Sequence, residues 1–284
     1  MTGEVIAAAA AGEAAGRGVV RVTLRHDGRL NAMSRAMWRQ LRSVFESIQR
    51  SVDVRCVLIE GAGEAFCAGG DISEYPAFRF DPEQLRDFHE GDVWGGLSAM
   101  LACDVPIVAR IAGACMGAGV EIASCCDIRI AATGARFGAP IAKLGFPMAP
   151  REAALVAGAV GDVTARQMLL EAATFSAAEM AQRGFVSRVV EADQLEAQAM
   201  GTALRIAALA PGAARLNKQT LRALQMPLHA PAFMPNGPVA QAGKALAASD
   251  LIADATPADP YAYANSAEHR EGITAFLDKR APVF

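Results

Sequence analysis

Short apolar runs alternate along this chain with stretches of helical periodicity. Val19–Leu24 reads as a first strand, closed by the turn His26-Asp27-Gly28-Arg29. From Ser34 to Arg50, Met37, Trp38, Leu41, Val44, Phe45 and Ile48 recur at helical spacing, with Ser34 as the N-cap. Arg55–Glu60 predicts a buried strand ending at Gly61-Ala-Gly63. Residues 81–101 contain a predicted helical segment opened by Asp81-Pro82-Glu83, a cap, a first-turn proline and an early acid. Val105–Ile111 then predicts a strand, Gly113–Gly119 a small-residue turn, Val120–Cys126 a helix and Asp127–Ala132 another strand. Strand, crossover helix and strand in recurrence predict an α/β architecture.

Beyond residue 150 the pattern is helical, over 152–160, 164–171, 177–183 and 194–210. Pro211-Gly212 interrupts it, the proline-dense stretch 226–260 reads as an irregular excursion, and a last helix spans 266–280 with Ile273, Phe276 and Leu277 as its apolar stripe. The Ala/Gly-rich residues 1–18 read as a disordered tail, because they lack the basic start and apolar core of a signal peptide. The expected division is therefore a tail at 1–18, a core at 19–210 and a helical C-terminal region at 211–284.

Composition narrows the partners. A formal net charge of −3, with no basic run or stripe, argues against nucleic acid, and no apolar stretch is long enough to span a membrane. The six cysteines sit in apolar or small-residue segments without C-x-x-C spacing, which predicts free buried thiols in a reducing, cytoplasmic setting. His26, His229 and His269 have no ligand spacing with one another or with the cysteines, so the sequence supports no metal site.

Candidate chemistry lies in two glycine-rich segments. Glu64-Ala-Phe-Cys-Ala-Gly-Gly-Asp71 follows the predicted strand at 55–60, and Gly113-Ala-Cys-Met-Gly-Ala-Gly-Val-Glu121 joins a strand to a helix. Glycines allow close backbone approach to a ligand, and a helix start leaves its first N–H groups unpaired. Neither segment completes a P-loop or a dinucleotide fingerprint. Two N–H donors converging from separate loops suit an oxyanion instead, each supplying ~3 kcal/mol.

These words resemble the crotonase (enoyl-CoA hydratase/isomerase) family. Residues 64–71 are similar to its fingerprint and residues 106–131 to its oxyanion-hole and catalytic-helix region. Arg29-Leu-Asn-Ala-Met33, Ser176–Val190 and Glu271–Arg280 are similar to further family motifs, so the likeness runs from about residue 19 to the end. The resemblance implies a ββα spiral with a helical C-terminal trimerisation region, assembled as homotrimers or homohexamers, acting on acyl-CoA thioesters with no cofactor beyond the coenzyme A of the substrate.

It implies oxyanion donors at the N–H groups of Gly70 and Ala118, with Glu121 as acid/base. Ala68 and Asp71 would adjoin the CoA adenine, Arg29 and Ala32 the nucleotide and pantetheine, and Phe276 and Lys279 the CoA of the same or a neighbouring subunit. Family hydratases carry a second glutamate after a Phe-Gly-x-Pro word; here Phe137-Gly-Ala-Pro140 is followed by Ile141. One carboxylate suits a proton shuttle, as in 3-to-2 double-bond isomerisation, whereas two suit hydration of a 2-enoyl-CoA. Both reactions stay open, as do decarboxylation, thioester hydrolysis and a non-catalytic thioester-binding or scaffold role. Glu152 reads as an ordinary first-turn acid and His89 as an ordinary helix histidine; their positions relative to Glu121 decide whether either joins the chemistry.

Overall fold

The computed structural model describes residues 2–11, 17–225 and 266–284; the 226–260 excursion lies outside the described residues. Its first unit, Met1–Ala208, is built on a six-stranded sheet. In chain order the strands of this unit are β1 (Glu4–Ala9), β2 (Val19–Arg25), β3 (Cys56–Gly61), β4 (Ile107–Ile111), β5 (Ala114–Met116), β6 (Ile128–Ala132), β7 (Arg136–Gly138), β8 (Thr174–Ser176) and β9 (Arg188–Val190). The helices are α1 (Arg35–Arg50), α2 (Pro82–Arg86), α3 (Trp94–Ala102), α4 (Ala118–Ser124), α5 (Pro150–Val160), α6 (Asp162–Leu170), α7 (Ala177–Gln182) and α8 (Leu195–Ala207).

The main sheet runs β1-β2-β3-β4-β6-β9, and a smaller sheet runs β5-β7-β8. From β2 to β9 every neighbour in the main sheet is parallel. Parallel strands covered on both faces are apolar throughout, and β3 shows it: every residue is buried. Strand alternation sends Val57 and Ile59 into a core that includes Trp38, Leu41 and Phe45 of α1. It sends Cys56 and Leu58 to the opposite face, against Leu195, Ala199 and Ala203 of α8. Ser34 caps α1, its hydroxyl accepting from the Met37 N–H at 3.2 Å.

Two expectations need correction. The N-terminal tail is not free: β1 pairs antiparallel with β2 from Glu4↔Arg25 to Ala9↔Val20, and Val5 and Ala10 are buried. An alanine-rich segment shows little side-chain alternation, yet its backbone satisfies the open edge of β2. The helical segment expected within 81–101 is present but not continuous. Asp81 caps α2 by accepting from Glu83 and Gln84, but a π-helical turn, Asp87–Val93, separates α2 from α3. Pro211 does not end structure; it starts a helix, where its missing N–H has no partner to lose.

That helix, α9 (Pro211–Gln225), and α10 (Ala267–Leu277) belong to a second unit, Leu209–Phe284. Within it the Gly212 N–H donates to Glu268 at 2.9 Å, and Arg280 pairs with Glu271 at 2.7 Å. Of the expected apolar stripe on α10, Ile273 and Leu277 are exposed, and the Phe276 side chain lies outside the described residues.

Removal of residues 1–11 separates the two accounts of the N-terminus. It strips the edge from β2 and exposes the site of Val5, so the unfolding free energy should fall by about 2 kcal/mol or more. Chemical denaturation of the truncated and full chains measures this; a disordered tail predicts no change.

Candidate active site

Neighbouring parallel strands bring two loops together. β3 and β4 are adjacent, and the chain leaves both at the same sheet edge, the edge where α/β sheets collect their ligands. The loop after β3 meets β5 in a parallel bridge at Cys67↔Cys115. The Cys67 N–H donates to the Ala114 carbonyl, and the Met116 N–H to the Cys67 carbonyl, both at 2.9 Å. Gly119 is required by this approach, since a Cβ there would lie 2.5 Å from the Cys67 carbonyl oxygen. Gly117, at φ 47°, turns the chain into α4.

A cavity of about 350 Å³ opens between the loops, lined by Gly70 and Ala118 among others. Among the described residues neither the Gly70 nor the Ala118 N–H has a hydrogen-bond acceptor. Glu121, in the first turn of α4, lines the same space with only 7% of its surface exposed. Burial raises its carboxyl well above the ordinary 4.5, and the charge of Glu152 raises it further.

Glu152 is the residue that sequence reasoning undervalued. It is 4% exposed, lines the cavity from the start of α5, and shares a hydrogen bond of 2.8 Å with His89 Nδ1. His89 lies on the π-helical turn, which presents Phe88 and His89 to the cavity. Asp92 of the same turn is buried and accepts from Arg35 at 2.6 Å and Arg39 at 2.7 Å, tying the turn to α1. Ile141 also lines the cavity. No local signal distinguished Glu152, because an acid after Pro150 has the form of an ordinary helix start. Tyr75, Arg79 and Phe146, also in the lining, lie outside any periodic pattern.

The other expected contacts divide. Ala68 lines the cavity, and its N–H donates to the Leu30 carbonyl at 3.0 Å. Ala32 and Asp71 are buried beside it rather than in its wall. Asp71 caps a short turn through Ser73 and is approached by Arg29 at 3.6 Å and His26 at 4.0 Å. Arg29 is exposed. Lys279 is exposed in the second unit, at φ 54° just past α10. All six cysteines are buried and none is in a disulfide, and burial pushes the Cys67 thiol up to about 12. Among the described residues no helix is long and apolar enough to cross a membrane.

The family model for enoyl-CoA hydratase/isomerase matches residues 14–232. The chain belongs to that family. A probable enoyl-CoA hydratase, echA8, of Mycobacterium tuberculosis is 31% identical over 264 residues, covering 93% of each chain. The short-chain-enoyl-CoA hydratase of Clostridium acetobutylicum is 32% identical, covering 72% of this chain and 77% of its own. Among solved structures, an enoyl-CoA hydratase/carnithine racemase from Magnetospirillum magneticum superposes with a TM-score of 0.80 at 35% identity, covering 94% and 92% of the two chains. An enoyl-CoA hydratase of Mycobacterium smegmatis gives 0.81 at 25% identity and 98% coverage of both. The protein therefore has the crotonase fold of an acyl-CoA enzyme.

The raised Glu121 carboxyl has a consequence for stability. The folded state holds that proton more tightly than the unfolded chain, so stability is lost as pH rises from the ordinary carboxylate value through the raised one. Glu121→Gln cannot ionise and should melt at a higher temperature than wild type at neutral and alkaline pH, the gap closing in acid. Thermal melts across pH measure it; parallel curves contradict the assignment.

Proposed function

We propose that the protein adds water across the double bond of 2-enoyl-CoA thioesters. The observation that carries this reading is the pair of buried carboxylates, Glu121 and Glu152, on one cavity beside two unpaired backbone N–H groups. The thioester oxygen sits between the N–H groups of Gly70 and Ala118, which stabilise the enolate by about 3 kcal/mol per donor. Glu152, hydrogen-bonded by the His89 N–H in its ionised form, takes a proton from water as the oxygen bonds to Cβ. Glu121, kept protonated by burial and by the charge of Glu152, gives its proton to Cα. The net addition is one water. Exchange with solvent after product release returns the proton from Glu152 and restores Glu121.

Ile141, in the place of the family's usual second acid, favours a second reading: 3-to-2 double-bond isomerisation by Glu121 alone. Under hydration both Glu121→Gln and Glu152→Gln lower kcat on crotonyl-CoA by about 10²–10⁴-fold. Under isomerisation Glu152→Gln spares turnover of a 3-enoyl-CoA. Product mass and absorbance on both substrates discriminate the two. The pH profile adds a check on the acid: kcat/KM should fall on the alkaline side at a pH well above the ordinary carboxylate value, as Glu121 loses its proton.

Assembly into homotrimers or homohexamers belongs to the same reading, supported by Leu221, Leu224, Ile273 and Leu277, large apolar side chains exposed on the C-terminal unit. Light scattering on the purified protein should give three or six times the chain mass; a monomer rejects it.

A further inference from the structure

Arg79 is a charged group of the cavity that the hydration scheme leaves without work. The other charged or titratable groups in the lining are Tyr75, Glu121, Glu152, His89 and Lys143. Lys143 is exposed, so water satisfies its ammonium. Arg79 differs. Its Nη1 is shut off from solvent and, among the described residues, has no hydrogen-bond partner and no ion pair with a carboxylate. Buried donors in native proteins are almost always satisfied, and one that is not calls for a missing partner.

Aromatic rings hold this cation in place. The guanidinium carbon lies 3.6 Å from the centroid of Phe146 and 4.6 Å from that of Tyr75. Stacking fixes the plane of the guanidinium and leaves its edge N–H groups free to meet a planar anion side-on. Burial lowers its proton affinity from the ordinary value, yet an arginine keeps its charge in a protein. Tyr75 also ties Arg79 to the reacting end. Its Oη lies so close to Gly70 that a Cβ there would meet it at 2.2 Å. The cation is thus about one phenol ring from the proposed oxyanion site. His89, Glu152 and the rings of Tyr75, Phe88 and Phe146 share the lining with it.

We propose that Arg79 binds a carboxylate at the far end of the acyl group, so that the preferred substrate is the coenzyme A monothioester of a short dicarboxylic acid. This rests on the acyl-CoA reading above, and it names the substrate class of that same cavity. A neutral alkyl chain leaves the Nη1 donor unsatisfied, whereas a carboxylate accepts from it with charge assistance. The anion could alternatively be a phosphate of coenzyme A itself. Arg79 shares the cavity with the acid/base groups, which favours the acyl end.

Binding of saturated thioesters tests the proposal without requiring turnover. Calorimetry should show glutaryl-CoA binding more tightly than pentanoyl-CoA, by on the order of 10- to 100-fold, the range of a hydrogen bond to a charged group. Arg79→Gln should collapse that ratio towards one, and Arg79→Lys, which keeps the charge but loses the planar fork, should restore part of it. Equal affinity of wild type for the two thioesters overturns the proposal whatever the variants do. Loss of affinity for free coenzyme A in Arg79→Gln, equal to the loss for glutaryl-CoA, also overturns it and assigns the guanidinium to a phosphate. Discrimination between the saturated thioesters with no hydration of glutaconyl-CoA or crotonyl-CoA leaves Arg79 standing and removes the reaction assignment. Failure to bind any acyl-CoA removes both.

Discussion

The backbone bridge between Cys67 and Cys115 is the constraint on which the site depends. Two loops leaving adjacent parallel strands would otherwise diverge into solvent. Hydrogen bonds from Cys67 to Ala114 and from Met116 to Cys67 hold them one strand spacing apart. That spacing leaves no room for side chains: a Cβ at Gly113 would lie 2.1 Å from the Glu64 carbonyl oxygen, and one at Gly119 would meet the Cys67 carbonyl. It also fixes the start of α4, where the Glu121 N–H donates to the Gly117 carbonyl at 3.1 Å. The amides of Gly70 and Ala118 stay unpaired because the ladder spends its hydrogen bonds on their neighbours.

The cavity concentrates charge where burial is costly. A carboxylic acid kept out of water is favoured in its neutral form, and the charge of Glu152 adds to that preference at Glu121. The proposed hydration asks one carboxylate to give a proton and the other to take one. Glu152 has the His89 hydrogen bond at 2.8 Å; Glu121 has no side-chain partner among the described residues. A stability cost and a chemical capacity thus arise from the same burial, the pattern expected of functional sites.

Much of the fold was legible because it rests on periodicity. The strands at 19–25, 56–61, 107–111 and 128–132 and the helix at 35–50 announce themselves by alternation or by a 3.6-residue stripe. β1 did not, since Ala7, Ala8 and Ala9 carry no such pattern and the pairing is made by backbone. The short strands β7, β8 and β9, three residues each, are below the length at which alternation can be read. Within the site, the glycine loops and Glu121 were visible as local words. Glu152 and His89 were named as candidates, but their pairing was not legible, because they lie 63 residues apart and it exists only once α5 and the π-helical turn face each other.

That turn links the core to the proposed acid/base groups. Its regular alternative, an uninterrupted α-helix over 82–102, would rotate every residue after the break by the angle of one inserted position. Asp92 would then leave Arg35 and Arg39, and Phe88 and His89 would lose their present direction towards the cavity. The two-arginine grip on one buried carboxylate selects the wider turn, since a buried anion without its partners is strongly disfavoured. Helix α1, which contributes Trp38 to the cavity wall, therefore also governs the imidazole that holds Glu152. The register of a structural ion pair on the outer helix and the geometry of the proposed base are one and the same constraint, although no residue of that ion pair lines the cavity.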